Sequence, residues 1–165
     1  MTFHFSDIDF QPFTYKTYIR PLLEANTQLW SPYLLQDIDM VERVQRVFTR
    51  YLPGMNRLSY PERLEQLNLQ SLEYRRIFFD LLLLFKIIHG VRKLLPVCTT
   101  RGHSFKIQME HSRINSKKYF FTHRTTPIWN SLPEEIVSSA TIEQFKNKLV
   151  LFDLKPYCRG RTTLA

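Results

Sequence analysis

At 165 residues, with 44% hydrophobic side chains, the chain is long enough for one domain with a true core, since a domain of about 150 residues buries ~68–70% of its unfolded surface. Four Gly and two Cys exclude a Gly-rich phosphate loop protein and a disulfide scaffold. The net charge of +8 is uneven: residues 1–85 carry nine Lys/Arg against ten Asp/Glu, and residues 86–165 carry fourteen against five.

Residues 1–12 show no helical period and read as an arm. Tyr15, Tyr18, Ile19, Leu22, Leu23 and Leu29 then recur at three-and-four spacing, which predicts a helix from about Thr14 to Leu29. Pro21 should kink or split it. A second helix is predicted from Leu34 to Tyr51, with Leu34, Leu35, Ile38, Val41, Val44 and Phe48 inward and Glu42, Arg43, Gln45, Arg46 and Arg50 outward. Leu52-Pro53-Gly54 stops it. Ser59 and Glu62 have capping-box spacing and should start a short helix through Arg63, Leu64 and Leu67. From Ser71 to His89 almost no polar face remains, so this helix must be surrounded by others, with Gly90 as its cap.

After Gly90 the period changes. Phe105, Ile107 and Met109 alternate with Lys106, Gln108 and Glu110, a strand signature. Tyr119 to Thr126, rich in aromatic and β-branched residues, is the candidate partner strand. Thr126-Pro127 opens a short helical turn, and Thr141 to Gln144 starts a last helix carrying Ile142, Phe145, Leu149 and Phe152. The expected fold is mainly α with a small β-hairpin, a bundle around the central apolar helix at 71–89. Its divisions are an arm at 1–12, a helical region at 13–90, a basic hairpin with a C-terminal helix at 91–154, and a frayed tail at 155–165.

Between Arg92 and Arg124 stand eight cations and one acid. Such asymmetry points to a polyanion, with RNA or single-stranded DNA first and an acidic membrane surface second. A solvated basic face is the plain alternative. Lys117 and Lys118 beside Tyr119 are the leading candidates for contact, followed by Arg101, Lys106 and Arg113. Phe105, Tyr119 and His103 are candidates for base stacking, whereas Phe120, Phe121 and Trp129 read as core. Arg124 has the alternative of pairing with an acid from the first half.

Catalytic chemistry finds little support. Two-metal nucleotidyl transfer needs clustered carboxylates, and the sequence has no Tyr-x-Asp-Asp and no adjacent Asp pair. Asp37 and Asp39, two apart on a helix, do not face each other. The five His, Cys98 and Cys158 lack the close paired spacing of a zinc site. No catalytic residue, metal, cofactor or small-molecule substrate is expected. The longest apolar run, Ile77 to Ile88, is interrupted by Asp80 and Lys86 and is shorter than the ~20 residues of a membrane span. A soluble intracellular chain is expected.

Several blocks occur in a telling order. They are Tyr15-Lys-Thr-Tyr-Ile-Arg-Pro-Leu-Leu-Glu24, Trp30-Ser-Pro32, Val44-Gln-Arg46, Leu52-Pro-Gly54 and Ser71-Leu-Glu-Tyr-Arg-Arg76. Lys86-Ile-Ile-His-Gly90, Arg101-Gly-His103, Phe120-Phe121 with Arg124, Trp129-Asn-Ser-Leu-Pro133 and Phe145-Lys146 follow. Together, over residues 13 to 150, they resemble the segment after the palm in LINE-type (jockey-like) non-LTR retrotransposon reverse transcriptase polyproteins. The resemblance implies a thumb-like helical region and a basic segment that help hold template RNA and the DNA end. It also implies that the endonuclease and the RNA-directed DNA polymerase palm lie upstream of this chain. The alternatives are a scaffold fragment that self-associates or binds a protein through Tyr15, Tyr18, Leu22 and Trp30, and a relic of a decayed mobile element.

Overall fold

A computed structural model describes residues 10–91, 102–109 and 119–160. The described chain is mainly helical and forms two compact units. One holds the residues up to Arg76 together with the segment from Cys158, and the other runs from Ile77 to Tyr157.

The first unit opens with a helical run from Phe10 to Glu24. It consists of α1 (Phe10–Thr14), a π turn (Tyr15–Ile19) and α2 (Arg20–Glu24). Pro21 cannot donate to the carbonyl four residues back, so the ladder slips instead of ending: the Arg20 N–H bonds to the Tyr15 carbonyl, five residues behind. Asn26, in the left-handed region at φ 54°, turns the chain into α3 (Thr27–Trp30). Helix α4 (Leu35–Tyr51) follows. Then α5 (Tyr60–Gln66) starts on the expected capping box, with the Ser59 N–H donating to Glu62 at 2.6 Å. Asn68, at φ 48°, lets the Leu69 N–H reach back to the Leu64 carbonyl at 2.8 Å, which folds Leu69 onto Tyr60 and Leu64.

Helix α4 is turned by roughly a sixth of a revolution, about 60° at 100° per residue, from the expected orientation, with Ile38 inward in both. Its buried residues are Ile38, Glu42, Gln45 and Thr49, while Met40, Val44, Val47 and Tyr51 are exposed. Both sets recur at four-three-four spacing, so each is one face of the same helix. Glu42 and Gln45 are therefore inside and Val44 outside, against expectation. The cause is a polar network that has no solvent to fall back on. The Tyr15 hydroxyl donates to Gln45 Oε1 at 2.8 Å, and Gln45 Nε2 donates to the Tyr60 hydroxyl and the Gln70 carbonyl, each at 3.0 Å. Tyr60 donates in turn to Glu42 Oε1 at 2.5 Å. The two Glu42 oxygens also accept the Leu72 N–H, at 2.9 and 3.2 Å, and so cap the next helix, α6 (Leu72–Val91), from another element. Burial raises the Glu42 pKa against the lowering effect of the Tyr60 and Leu72 bonds and the Arg76 charge. Burial first, and the Glu42 charge second, push the Tyr15 and Tyr60 phenols far above their usual range.

At the start of α6, Arg75 grips Glu24 through Nε–Oε1 and a second bond, Nη2–Oε2, at 3.0 Å. Glu73 accepts the backbone N–H groups of Arg159 and Gly160, both at 2.8 Å. Of the tail expected at 155–165, Lys155–Tyr157 forms a 3-10 turn and Gly160 is buried. Residues 161–165 lie outside the described residues.

The second unit takes α6 from Ile77 onward and adds α7 (Phe121–Ser131), α8 (Glu134–Val137) and α9 (Ile142–Leu151). Helix α6 runs through Gly90, which therefore does not cap it. Phe145, Phe85, His89 and Phe105 form one stack, with successive ring centroids 4.3, 4.0 and 4.9 Å apart. Trp129 sits beside it, tilted to Phe85 and Phe145 at 6.5 and 5.8 Å. The expected cap of α9 is present, with Thr141 accepting the Gln144 N–H at 3.2 Å.

No strand occurs among the described residues, so the expected β-hairpin is corrected. Phe121, Thr125 and Trp129 are buried while Thr122 is exposed, a period near four and not two. Thr125 Oγ1 donates to the Phe121 carbonyl at 2.7 Å, a local bond that accommodates a β-branched residue in a helix. Pro127 lies inside α7 and does not open it.

Candidate nucleic-acid interface

Residues 102–109 form no strand: the chain turns at Ser104 and Phe105, where the Lys106 N–H reaches the His103 carbonyl at 3.3 Å, and runs on without regular structure to Met109. Side chains of α7 supply the partners a second strand would have given. Asn130 pairs with both backbone groups of Ile107, its Oδ1 accepting the N–H at 3.0 Å and its Nδ2 donating to the carbonyl at 2.9 Å. Trp129 Nε1 donates to the Phe105 carbonyl at 2.9 Å. Ser104 places its N–H and hydroxyl on the Glu134 carboxylate at 2.8 and 2.7 Å, which holds the Glu134 pKa below the usual range.

His103 ties the start of this strap to α7. Its Nδ1 accepts the Phe105 N–H at 3.2 Å, so its Nε2 is the protonated nitrogen of a neutral ring and donates to the Trp129 carbonyl at 3.1 Å. Gly102 stands at φ 132°, and a Cβ there would run into the side chain of Lys106, which folds over it. The positive φ is what favours glycine at this position, since the flexible end of the Lys106 side chain could swing aside.

This geometry sorts the candidate residues. His103 is buried and Phe105 is engaged by His89, so neither offers a free face to a base. Phe121 and Trp129 are core, as their spacing implies. Phe120 is not: it is 52% exposed. With Ile107, Gln108, Met109, Thr122, His123 and Thr126 it lines an open cleft of about 370 Å³, within the size range of ligand pockets. Periodicity missed Phe120 because Phe121 beside it satisfies the core pattern. Lys106 and Tyr119 are partly buried. Arg101, Arg113, Lys117 and Lys118 lie outside the described residues, as does Cys98. Arg124 takes its alternative role, its Nε on Asp80 Oδ2 at 2.9 Å.

The described part of this unit is close to neutral. Lys86, Lys106, Arg124, Lys146, Lys148 and Lys155 stand against Asp80, Glu134, Glu135, Glu143 and Asp153, six cations to five acids. The sequence excess sits in residues 92–101 and 110–118, with Arg92, Lys93, Arg101, Arg113, Lys117 and Lys118 against Glu110 alone. The second of these segments joins Met109 to Tyr119, next to two residues of the cleft wall. Among the described residues no three His, Cys, Asp or Glu gather as metal ligands. None of their helices is long and apolar enough to cross a membrane. Comparison with protein-family models, curated proteins and solved structures finds no match.

Proposed function

We propose that this chain is a non-catalytic piece of a retrotransposon RNA-directed DNA polymerase that binds RNA or single-stranded DNA. The observation that carries the reading is the cleft walled by exposed Met109 and Phe120, whose connecting sequence holds Arg113, Lys117 and Lys118. The cations meet phosphates, and Phe120 offers a face on which an unpaired base stacks. Every base has such a face, so the mode tolerates sequence. The order of the blocks from Tyr15 to Lys146 supports the family origin, and several of their residues (Gln45, Arg75, Trp129, Asn130) are hydrogen-bond joints of the fold.

Fluorescence anisotropy with a labelled single-stranded RNA tests the reading. Phe120→Ala should weaken binding by roughly 5- to 150-fold, the equivalent of ~1–3 kcal/mol of stacking on one base. Its half-exposed ring should leave the unfolding midpoint unchanged. Lys117→Glu with Lys118→Glu should weaken binding further. Wild-type affinity in both variants would exclude the cleft and these cations from the interface.

A second reading, self-association, is favoured by the outer face of α4. Met40, Val44, Val47 and Tyr51 form one exposed apolar stripe in the first unit, where Tyr18 and Leu22 are also exposed. Contiguous apolar surface of this kind marks contact sites. Tyr15, expected in the same surface, is fully buried instead. Sedimentation should show a concentration-dependent dimer that Val47→Glu converts to monomer. A wild-type monomer at the highest concentration reached would dismiss this reading.

A further inference from the structure

A buried histidine acts as a switch when only one protonation state satisfies its partners. His103 is in that position. Its ring is 7% exposed and meets Trp129 edge-on, with centroids 6.2 Å apart. Both nitrogens are in use: Nε2 donates to the Trp129 carbonyl at 3.1 Å, and Nδ1 accepts the Phe105 N–H at 3.2 Å. A second ring proton has only Nδ1 to go to. There it would face the Phe105 N–H, so two donors would meet where a hydrogen bond stood, and a buried site would gain a charge.

The groups around the ring do not relieve this clash. Glu134 of α8 faces it and attracts the imidazolium, but its two oxygens are engaged by Ser104 at 2.8 and 2.7 Å. Lys106, on the strap itself, folds over Gly102 and repels it. From α6, His89 stands behind the Phe105 ring, with centroids 4.9 Å apart, and from α7 His123 lies on the cleft wall. A charge on either adds repulsion. Arg124 of α7 is bound to Asp80 of α6, and α9 enters this core through the uncharged Phe145. Proton uptake therefore favours the strap lifted from α7, where Nδ1 turns to water.

We infer that His103 is an acid-sensitive latch, whose protonation loosens residues 102–109 and with them one wall of the cleft. That wall is Ile107, Gln108 and Met109, facing Phe120 and α7. The strap stays closed at neutral pH and loosens as pH falls through the imidazole range. Asn130, Trp129 Nε1 and Ser104 still pin it there, so acid shifts the opening equilibrium of the strap without unfolding the unit.

Amide hydrogen exchange of the full chain at about pH 5.5 and about pH 7.5, corrected for the intrinsic pH dependence of exchange, tests the latch. Protection of Phe105 and Ile107 in wild type should fall about fivefold or more at the lower pH, as when a buried donor loses its acceptor. His103→Gln keeps a donor and an acceptor but takes no proton, so its protection should be equal at both. Nitrogen NMR of the wild-type ring should show the Nε2–H tautomer near neutrality, and ring protonation should follow the same curve as the loss of protection. Glu42, whose pKa is raised, belongs to the first unit and stabilises the fold as pH falls, so it does not imitate this response. Phe120→Ala should leave the latch intact, so failure of the latch and failure of the cleft as an RNA interface are read separately. Three results each overturn the latch: a ring still neutral at the lower pH, protonation without loss of protection at Phe105 and Ile107, or the same acid response in His103→Gln.

Discussion

Replacing Glu42 with Ala is expected to cost about 3–5 kcal/mol of unfolding free energy, the range for removing one partner from a buried charged network. The carboxylate is 2% exposed, and its loss strands the Tyr60 hydroxyl and the Leu72 N–H together. Each stranded group costs about 1–3 kcal/mol. Urea unfolding measures this directly, and a loss below about 1 kcal/mol would mean that water replaces the carboxylate. The pH dependence follows from the raised pKa. The native state holds the Glu42 proton more tightly than the unfolded chain, whose carboxyl titrates near 4.3. The associated stability is fully present below about pH 4.3 and declines as pH rises through the higher folded value. Glu42→Gln cannot ionise and should lack that decline. Glu62 and Glu134, whose pKa values are lowered by their bonds to Ser59 and Ser104, act in the opposite sense. They are common to both proteins, so the difference between wild type and the Gln variant isolates Glu42.

Trp129→Ala should cost a similar ~3–5 kcal/mol, as for other fully buried large aromatics. The ring is 0% exposed and packs beside Phe85, Phe145 and His103. Its effect should also be local in a particular way. Trp129 Nε1 holds the Phe105 carbonyl, so the strap at 102–109 loses one of its pins. Trp129→Phe separates the two roles: it keeps an aromatic ring, strands one carbonyl, and should cost about 1–3 kcal/mol. Amide hydrogen exchange should quicken at Ile107 in the Ala variant. Unchanged exchange there would mean that Asn130 alone secures the strap.

Much of the helical framework is legible in the sequence because local rules decide it. Pro21 interrupts the first helix, Ser59 with Glu62 begins α5, and the apolar run after Ser71 becomes α6, all without reference to distant residues. Arg124 finds Asp80, an acid of the first half. What the sequence hid is what depends on tertiary partners. Nothing local marks Glu42 as the cap of a helix thirty residues away, or Gln45 as the hub between two tyrosines. Helix α4 carries two stripes of equal spacing, and the polar one wins because its hydrogen bonds are satisfied only inside. The strand expectation for Tyr119–Thr126 failed for a related reason: β propensity is largely a statement about packing, and here four-residue spacing buries Phe121, Thr125 and Trp129 together. The alternation at 105–109 does not become a strand either: Phe105 lies in a turn, Lys106 is as covered as Phe105 and Ile107, and both backbone groups of Ile107 pair with the amide of Asn130.

The central claim is that cations of the second half meet the phosphates of a single strand. Its most direct test is the affinity of the full chain for a short single-stranded RNA, measured at a series of salt concentrations. Log affinity should fall linearly with log salt, by roughly 0.7 for each phosphate neutralised. A slope of about −2 to −4 would fit the three cations between Met109 and Tyr119 with one or two neighbours. Affinity that stays flat across the series would contradict the account.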